Sequence, residues 1–208
     1  MNAVDRISEV LFGLIMALTF TCTISVAEAD RSEVRDMLIG AIGCNIAWGL
    51  VDAIMFILIG LAEKGRGKTI LNFVHKTTQA EKARELIADA LPPVLSSVMK
   101  TDELESIRKS LLRIPESNLK IRITPTELKT ALGIFILVVL STFPVVIPFI
   151  FIDNVRRALR VSNLVAIVLM FISGWLLGKY GGYNKVVMGF AMMILGVLLV
   201  ALAIALGG

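Results

Sequence analysis

The chain has 208 residues, 56% of them hydrophobic, a mean hydropathy of +0.82 and a formal net charge of +4. Soluble domains hold roughly 45–50% apolar residues, so an ordinary soluble fold is excluded; the apolar runs are continuous and not alternating, which excludes a β-barrel. The basic balance fits cytoplasmic loops of a membrane protein and gives no reason to invoke nucleic acid.

The fold class read from this pattern is all-α: a polytopic helical membrane protein with five transmembrane helices and a cytoplasmic helical domain between spans 2 and 3. A bilayer crossing needs about 20 mainly apolar residues. The five segments that qualify are Ile7–Ala29, Met37–Ala62, Leu132–Ile152, Val161–Leu177 and Val186–Leu206. They divide the chain into a transmembrane hairpin (1–62), a polar helical domain (63–129) and three further spans (130–208).

Ala27-Glu28-Ala29 imitates a signal-peptide cleavage site after the first apolar run. The lead before it carries Asp5 and Glu9 against Arg6, whereas a signal peptide opens on positive charge. The first span is therefore expected to be retained. Thr19, Thr21, Thr23 and Ser25 enrich its second half in hydroxyls, which in membrane helices commonly bond their own preceding carbonyls.

Asp30–Asp36, DRSEVRD, is a tight charged connection that makes spans 1 and 2 antiparallel neighbours. The second span, IGAIGCNIAWGLVDAIMF over Ile39–Phe56, carries Asn45 and Asp52, two turns apart on nearly one face. An intramembrane Asp costs roughly 2.5–3.5 kcal/mol on insertion scales and so faces a partner, a cavity or an ion. With a turn centred on Ser32–Glu33 and equal rise in both helices, Asp52 faces Gly13, Met55 faces Val10 and Asn45 faces Phe20. Glu9, Met16, Asn45, Asp52 and Met55 then converge as a candidate transport path. Carboxylates of this kind bind either a proton or a cation, so the two compete and exchange. Thioether sulfur from Met16 and Met55 favours transition metals over Mg²⁺ or Ca²⁺. The competing reading is that Asp52 and Asn45 only hydrogen-bond neighbouring helices, while Glu9 reaches the interface.

The polar segment opens on a glycine-broken basic run, EKGRGK, too short for a phosphate loop. Helical periodicity follows over Thr78–Leu91, a short helix over Val94–Met99 after Pro92-Pro93, and another capped by Thr101. The last should bury Leu104, Ile107, Leu111 and Leu112 and stop at Pro115. Glu81, Glu85 and Asp89 stand at successive turns and are either a weak cytoplasmic metal site or a solvated face. Intervening Lys82 and Arg84 favour the solvated face.

Thirteen of the 21 Lys and Arg residues fall in this segment, which places it and the N-terminus in the cytoplasm. Arg156, Arg157 and Arg160 then lie across the membrane, where lipid phosphates or Asp153 can pair with them. Pro144 and Pro148 should kink the third span and free carbonyls, which a membrane tolerates only against protein or water. Gly174, Gly178, Gly189 and Gly196 read as packing positions, and Met188, Met192 and Met193 as core or lipid-facing fillers. Cys22, Cys44 and the sole histidine, His75, form no disulfide framework or zinc motif.

The arrangement of two spans, a polar helical domain and three spans resembles the vacuolar iron transporter family. The stretches that carry the likeness are GAIGCNIAWG in span 2, FPVVIPF in span 3 and ALRVSNLVAIVLMFISGWLLGKYGG into span 4. The resemblance implies a homodimer that exchanges divalent iron or manganese for protons, with the first spans lining the path and the cytoplasmic domain collecting metal. Some positions depart from the family's pattern. FGLIMALTF stands where the family has Asn-Asp-Gly, Asn45 to Leu50 lacks the family's Ser-Met and Gly-Glu, and paired Glu-x-x-Glu motifs are missing from the cytoplasmic domain.

The function expected is a membrane transporter of divalent transition-metal cations, with Fe²⁺ or Mn²⁺ as substrate and no permanently bound cofactor. The alternative is a non-transporting scaffold or sensor whose cytoplasmic helices bind a partner. No nucleophile–base pair or HExxH motif suggests an enzyme. A prokaryotic cytoplasmic membrane is the expected location.

Overall fold

The computed structural model describes residues 3–21, 31–115 and 121–205, and every element among them is a helix. In chain order these are α1 (Ala3–Thr21), α2 (Arg31–Lys76), α3 (Ala80–Ala90), α4 (Pro93–Val98), α5 (Thr101–Leu112), α6 (Pro125–Phe151), α7 (Val155–Gly181) and α8 (Lys185–Ala205). Cys22, Thr23, Ser25 and the end of the first expected span lie outside the described residues. Four helices, α2, α6, α7 and α8, are long and apolar enough to cross a membrane. α1 has 19 residues and carries Asp5, Arg6 and Glu9 near its start.

The chain divides into two compact units, Met1–Met55 with Thr126–Gly208, and Phe56–Pro125. In the first unit, α1 packs on α7 and α8. Ile7, Leu11, Leu14, Ala17 and Leu18 form one buried stripe at helical spacing against Val145, Ala166 and Met170, with Met192, Leu199 and Val200 beside them. Within lipid, apolar surface gains little by leaving the solvent, so close packing and hydrogen bonds must hold such helices together. Small residues provide that closeness between α7 and α8. A Cβ on Gly174 would stand 2.6 Å from the Met188 carbonyl, and one on Gly178 would stand 2.7 Å from the Lys185 Cα.

The α7–α8 turn is built from local rules. Gly182 takes φ +78° after the last turn of α7, and the Tyr183 N–H returns to the Gly178 carbonyl at 3.0 Å. Asn184 then accepts from the Val186 and Val187 N–H groups at 3.0 and 3.2 Å and starts α8. At the same end the ammonium groups of Lys179 and Lys185 lie over the Trp175 ring at 5.8 and 5.4 Å, an amphipathic cluster suited to a membrane–water boundary.

α6 runs unbroken through Pro144 and Pro148. One polar link along this stretch comes from α7, where the Ser162 hydroxyl donates to the Val145 carbonyl at 2.6 Å. Both Ser162 and Val145 are fully buried, so the neighbouring helix supplies a donor inside the kink-prone region.

The second unit is a small helical assembly. Val74, Ala83 and Ile87 form its core, with Ile70, Leu104, Ile107 and Leu111 packed on it. Three expectations are corrected. α2 continues through Gly65 and Gly67 to Lys76, because neither glycine is needed for a turn and Ile70, Leu71 and Val74 anchor the helix beyond them. α5 starts after Lys100, not Thr101: the Glu103 carboxylate accepts from the Lys100 N–H at 2.7 Å and closes the first turn. Leu112 is also 40% exposed, since it falls off the stripe that Leu104, Ile107 and Leu111 make.

Candidate functional site

The polar residues of the first unit collect where α1, α2 and α6 meet. Glu9 and Asp52 are both half-buried, and their carboxyl groups lie within hydrogen-bonding reach of one another. Asp52 Oδ2 is buried without a hydrogen-bond partner among the described residues. Nearly one turn along α1, the Phe12 and Trp48 rings meet edge to face, with centroids 5.7 Å apart.

Beyond the rings lies a neutral polar layer. Asn45 is fully buried, and its Nδ2 donates to the Gly13 carbonyl at 3.3 Å and to the Thr142 hydroxyl. The Asn45 Oδ1 is buried and unpartnered among the described residues, an acceptor whose desolvation costs about 1–3 kcal/mol. Ser141 bonds the Val138 carbonyl at 2.6 Å. Gly13 is the residue that allows the three helices this contact. A Cβ there would come within 1.9 Å of Ser141 Oγ and 2.8 Å of the Val138 carbonyl. Gly49 does the same between α2 and α6, where a Cβ would stand 3.2 Å from the Phe135 carbonyl.

The structure thus brings Glu9 to Asp52 and Asn45 to α6. Met16 is half-buried on α1, while Met55 is 46% exposed on α2. The register of the hairpin differs from equal spacing about Ser32–Glu33. Asn45 meets Gly13, two turns nearer the start of α1 than the expected position 20, and Asp52 meets Glu9, one turn nearer than the expected Gly13. The physical reason is that Ser32 and Glu33 already lie in the first turn of α2, which begins at Arg31. Ser32–Glu33 is therefore not the centre of the hairpin, and the opposing positions on α1 differ from those counted from it.

Thr142 and Ser141 were not legible as site residues. A serine and a threonine ahead of Pro144 in an apolar span are a usable signal, but only the packing of α6 on α1 and α2 reveals their partners.

Glu81, Glu85 and Asp89 are all exposed on α3. Among the described residues, no three His, Cys, Asp or Glu side chains gather as a metal-binding group. Among the described residues of this unit, Glu105 takes Arg108 at 2.7 Å and Arg84 at 3.2 Å. The Arg108 hydrogen bond foremost, then the one from Arg84, holds the Glu105 carboxyl down at about 2.

A sequence model of the VIT family matches residues 68–208. That range includes α6, α7 and α8, with Ser141, Thr142 and both prolines, and stops short of Glu9, Asn45 and Asp52. No curated protein matches the chain.

Proposed function

Because the chain belongs to the VIT family, and is on that ground an integral multi-pass membrane protein and a metal-ion transporter rather than an enzyme, we propose that its cargo is a divalent transition-metal cation. Iron or manganese is exchanged for protons. The observation that supports this most is the approach of Glu9 and Asp52 between two helices. Two carboxyl groups within hydrogen-bonding reach hold a proton between them, and a divalent cation satisfies both only when that proton leaves. Exchange then follows from one shared site. Met16 and Met55 add sulfur along the same helices, and Asn45 adds a neutral oxygen beyond them.

α1 completes the spans as the fifth, with the N-terminus and residues 63–129 in the cytoplasm of a prokaryotic cell, and two copies assemble as a homodimer. The Lys and Arg count supports this orientation.

The test is flux of Mn²⁺ and Fe²⁺ into proteoliposomes under an imposed pH gradient. Glu9→Gln and Asp52→Asn should each reduce pH-driven uptake by at least about tenfold, with the protein still inserted and folded. Uptake that persists in both variants overturns the role of the pair. One feature favours the scaffold reading: Val94, Leu95 and Val98 of α4 are 76%, 51% and 69% exposed, an apolar face in the polar segment. Full-length protein that carries no metal yet binds a partner only with this face intact would establish it.

A further inference from the structure

A groove of about 590 Å³ runs along the first unit where α2 begins and α6 gives way to α7. Arg35, Leu38, Ile39 and Ile42 line one side at i, i+3, i+4 and i+7 spacing, so they form a single stripe two turns long, about 10 Å. Val146, Phe149 and Ile150 line the other along the last turns of α6, with Asp153 just past the end of that helix. The two stripes run antiparallel, and their charged members, Arg35 and Asp153, fall at the same end. Both stripes lie on or beside helices long and apolar enough to cross a membrane, and Ile39 and Ile150 are 59% and 69% exposed. A trough with an apolar floor and one charged end is the shape of a bound lipid: acyl chain along the floor, phosphate at the head.

The charge at that end decides the headgroup. Among the described residues, Arg35 and Asp153 line that end; exposed Glu33 and Asp36 flank Arg35 in sequence, and exposed Arg156, Arg157 and Arg160 follow Asp153, four arginines against three acids. Glu33 and Asp153 already have interactions of their own. The balance is cationic, and Arg35 is the guanidinium directly above the apolar stripe. Arginine matches phosphate oxygens through paired N–H donors. We propose that this groove is a binding site for one anionic phospholipid, its phosphodiester held by Arg35 and one acyl chain laid between Leu38–Ile42 and Val146–Ile150. The site is independent of the carboxylate pair and of what the protein transports.

Native mass spectrometry of the full-length protein in detergent, mixed with equal amounts of phosphatidylglycerol, phosphatidylethanolamine and phosphatidylcholine, tests it. One phosphatidylglycerol should remain bound at collision energies that strip the other two. Arg35→Ala removes an exposed side chain and should lower that retention by about tenfold, the loss expected for one charge-assisted contact. Ile42→Trp, which fills the trough, should lower retention of all three lipids, while Arg113→Ala in the second unit should change nothing. Circular dichroism of each variant checks that the helices are intact. Equal retention of the three headgroups, unchanged retention in Arg35→Ala, or an equal loss in Arg113→Ala would each overturn the site. Preferred retention of phosphatidylethanolamine would overturn the anionic assignment by moving recognition to an ammonium group at Asp153.

Discussion

α1 and α8 are of similar length, 19 and 21 residues, and occupy opposite positions in the first unit. α1 is the more polar, with Asp5, Arg6 and Glu9, yet Leu14, Ala17, Leu18 and Thr21 on it are at most 1% exposed. α8 has no charged residue after Lys185, yet Val187, Ile194, Leu198 and Leu202 are all more than half exposed. In water this order would be reversed. In a bilayer the lipid receives the apolar helix, and the helix with polar groups must find protein partners for them. The inner position of α1 is the reason its Glu9 meets Asp52 and its Gly13 meets Asn45.

The comparison can be broken most severely at the polar contacts of α1. Asp52→Asn or Glu9→Gln should reduce pH-driven metal flux by at least about tenfold in proteoliposomes, since each leaves one carboxylate to do the work of two. A polar-to-neutral change on α8 has no such residue to alter. Flux retained in both variants would show that the inner position of α1 serves packing alone.

The next effect is on packing. Leu14→Ala should destabilise the protein by about 2 kcal/mol, chiefly through the cavity it leaves, because the transfer of apolar surface counts for little in lipid. Leu198→Ala, at 59% exposure on α8, should change stability by less than about 0.5 kcal/mol. Thermal unfolding of the two variants in one detergent reads the difference, and equal shifts would refute the central place of α1. A smaller effect, about 1 kcal/mol, is expected for Thr142→Val, which removes one of the two acceptors of the Asn45 amide.

The last prediction leaves the bundle for the second unit, where charge is placed by ion pairing and not by burial. The folded-state carboxyl of Glu105 sits at about 2, below its ordinary 4.5. Its contribution is therefore complete above about 4.5 and is lost as the pH falls from there toward about 2. Hydrogen exchange of α3 and α5 in the full-length protein should accelerate across that window, and Glu105→Gln should remove the dependence. Exchange in α8 should not follow it.

Much of the fold was open to sequence reasoning because its determinants are local. Length and apolarity mark α2, α6, α7 and α8, and the spacing of Leu104, Ile107 and Leu111 marks the buried side of α5. The polarity of Asn45 and Asp52 in an apolar helix singles them out by solvation cost alone. Other features depend on the chain meeting itself. Equal rise from a turn at Ser32–Glu33 fails because α2 already begins at Arg31, so the register that joins Asn45 to Gly13 is set by where α2 starts and by the small residues that let α1, α2 and α6 approach. Thr142, Ser141 and Ser162 look like ordinary hydroxyls in sequence; the partners of Thr142 and Ser162 are 97 and 17 residues away, while Ser141 bonds its own preceding turn and leaves room only for a glycine at position 13.

The sequence by itself determined that this is a helical membrane protein with two costly polar groups in its second apolar segment, because those properties are sums over single residues and their hydration. Which of its helices is innermost, and which carboxylate faces Asp52, was decided only by tertiary structure. Both depend on backbone separations at Gly13 and Gly49, where a single added carbon would meet a neighbouring helix.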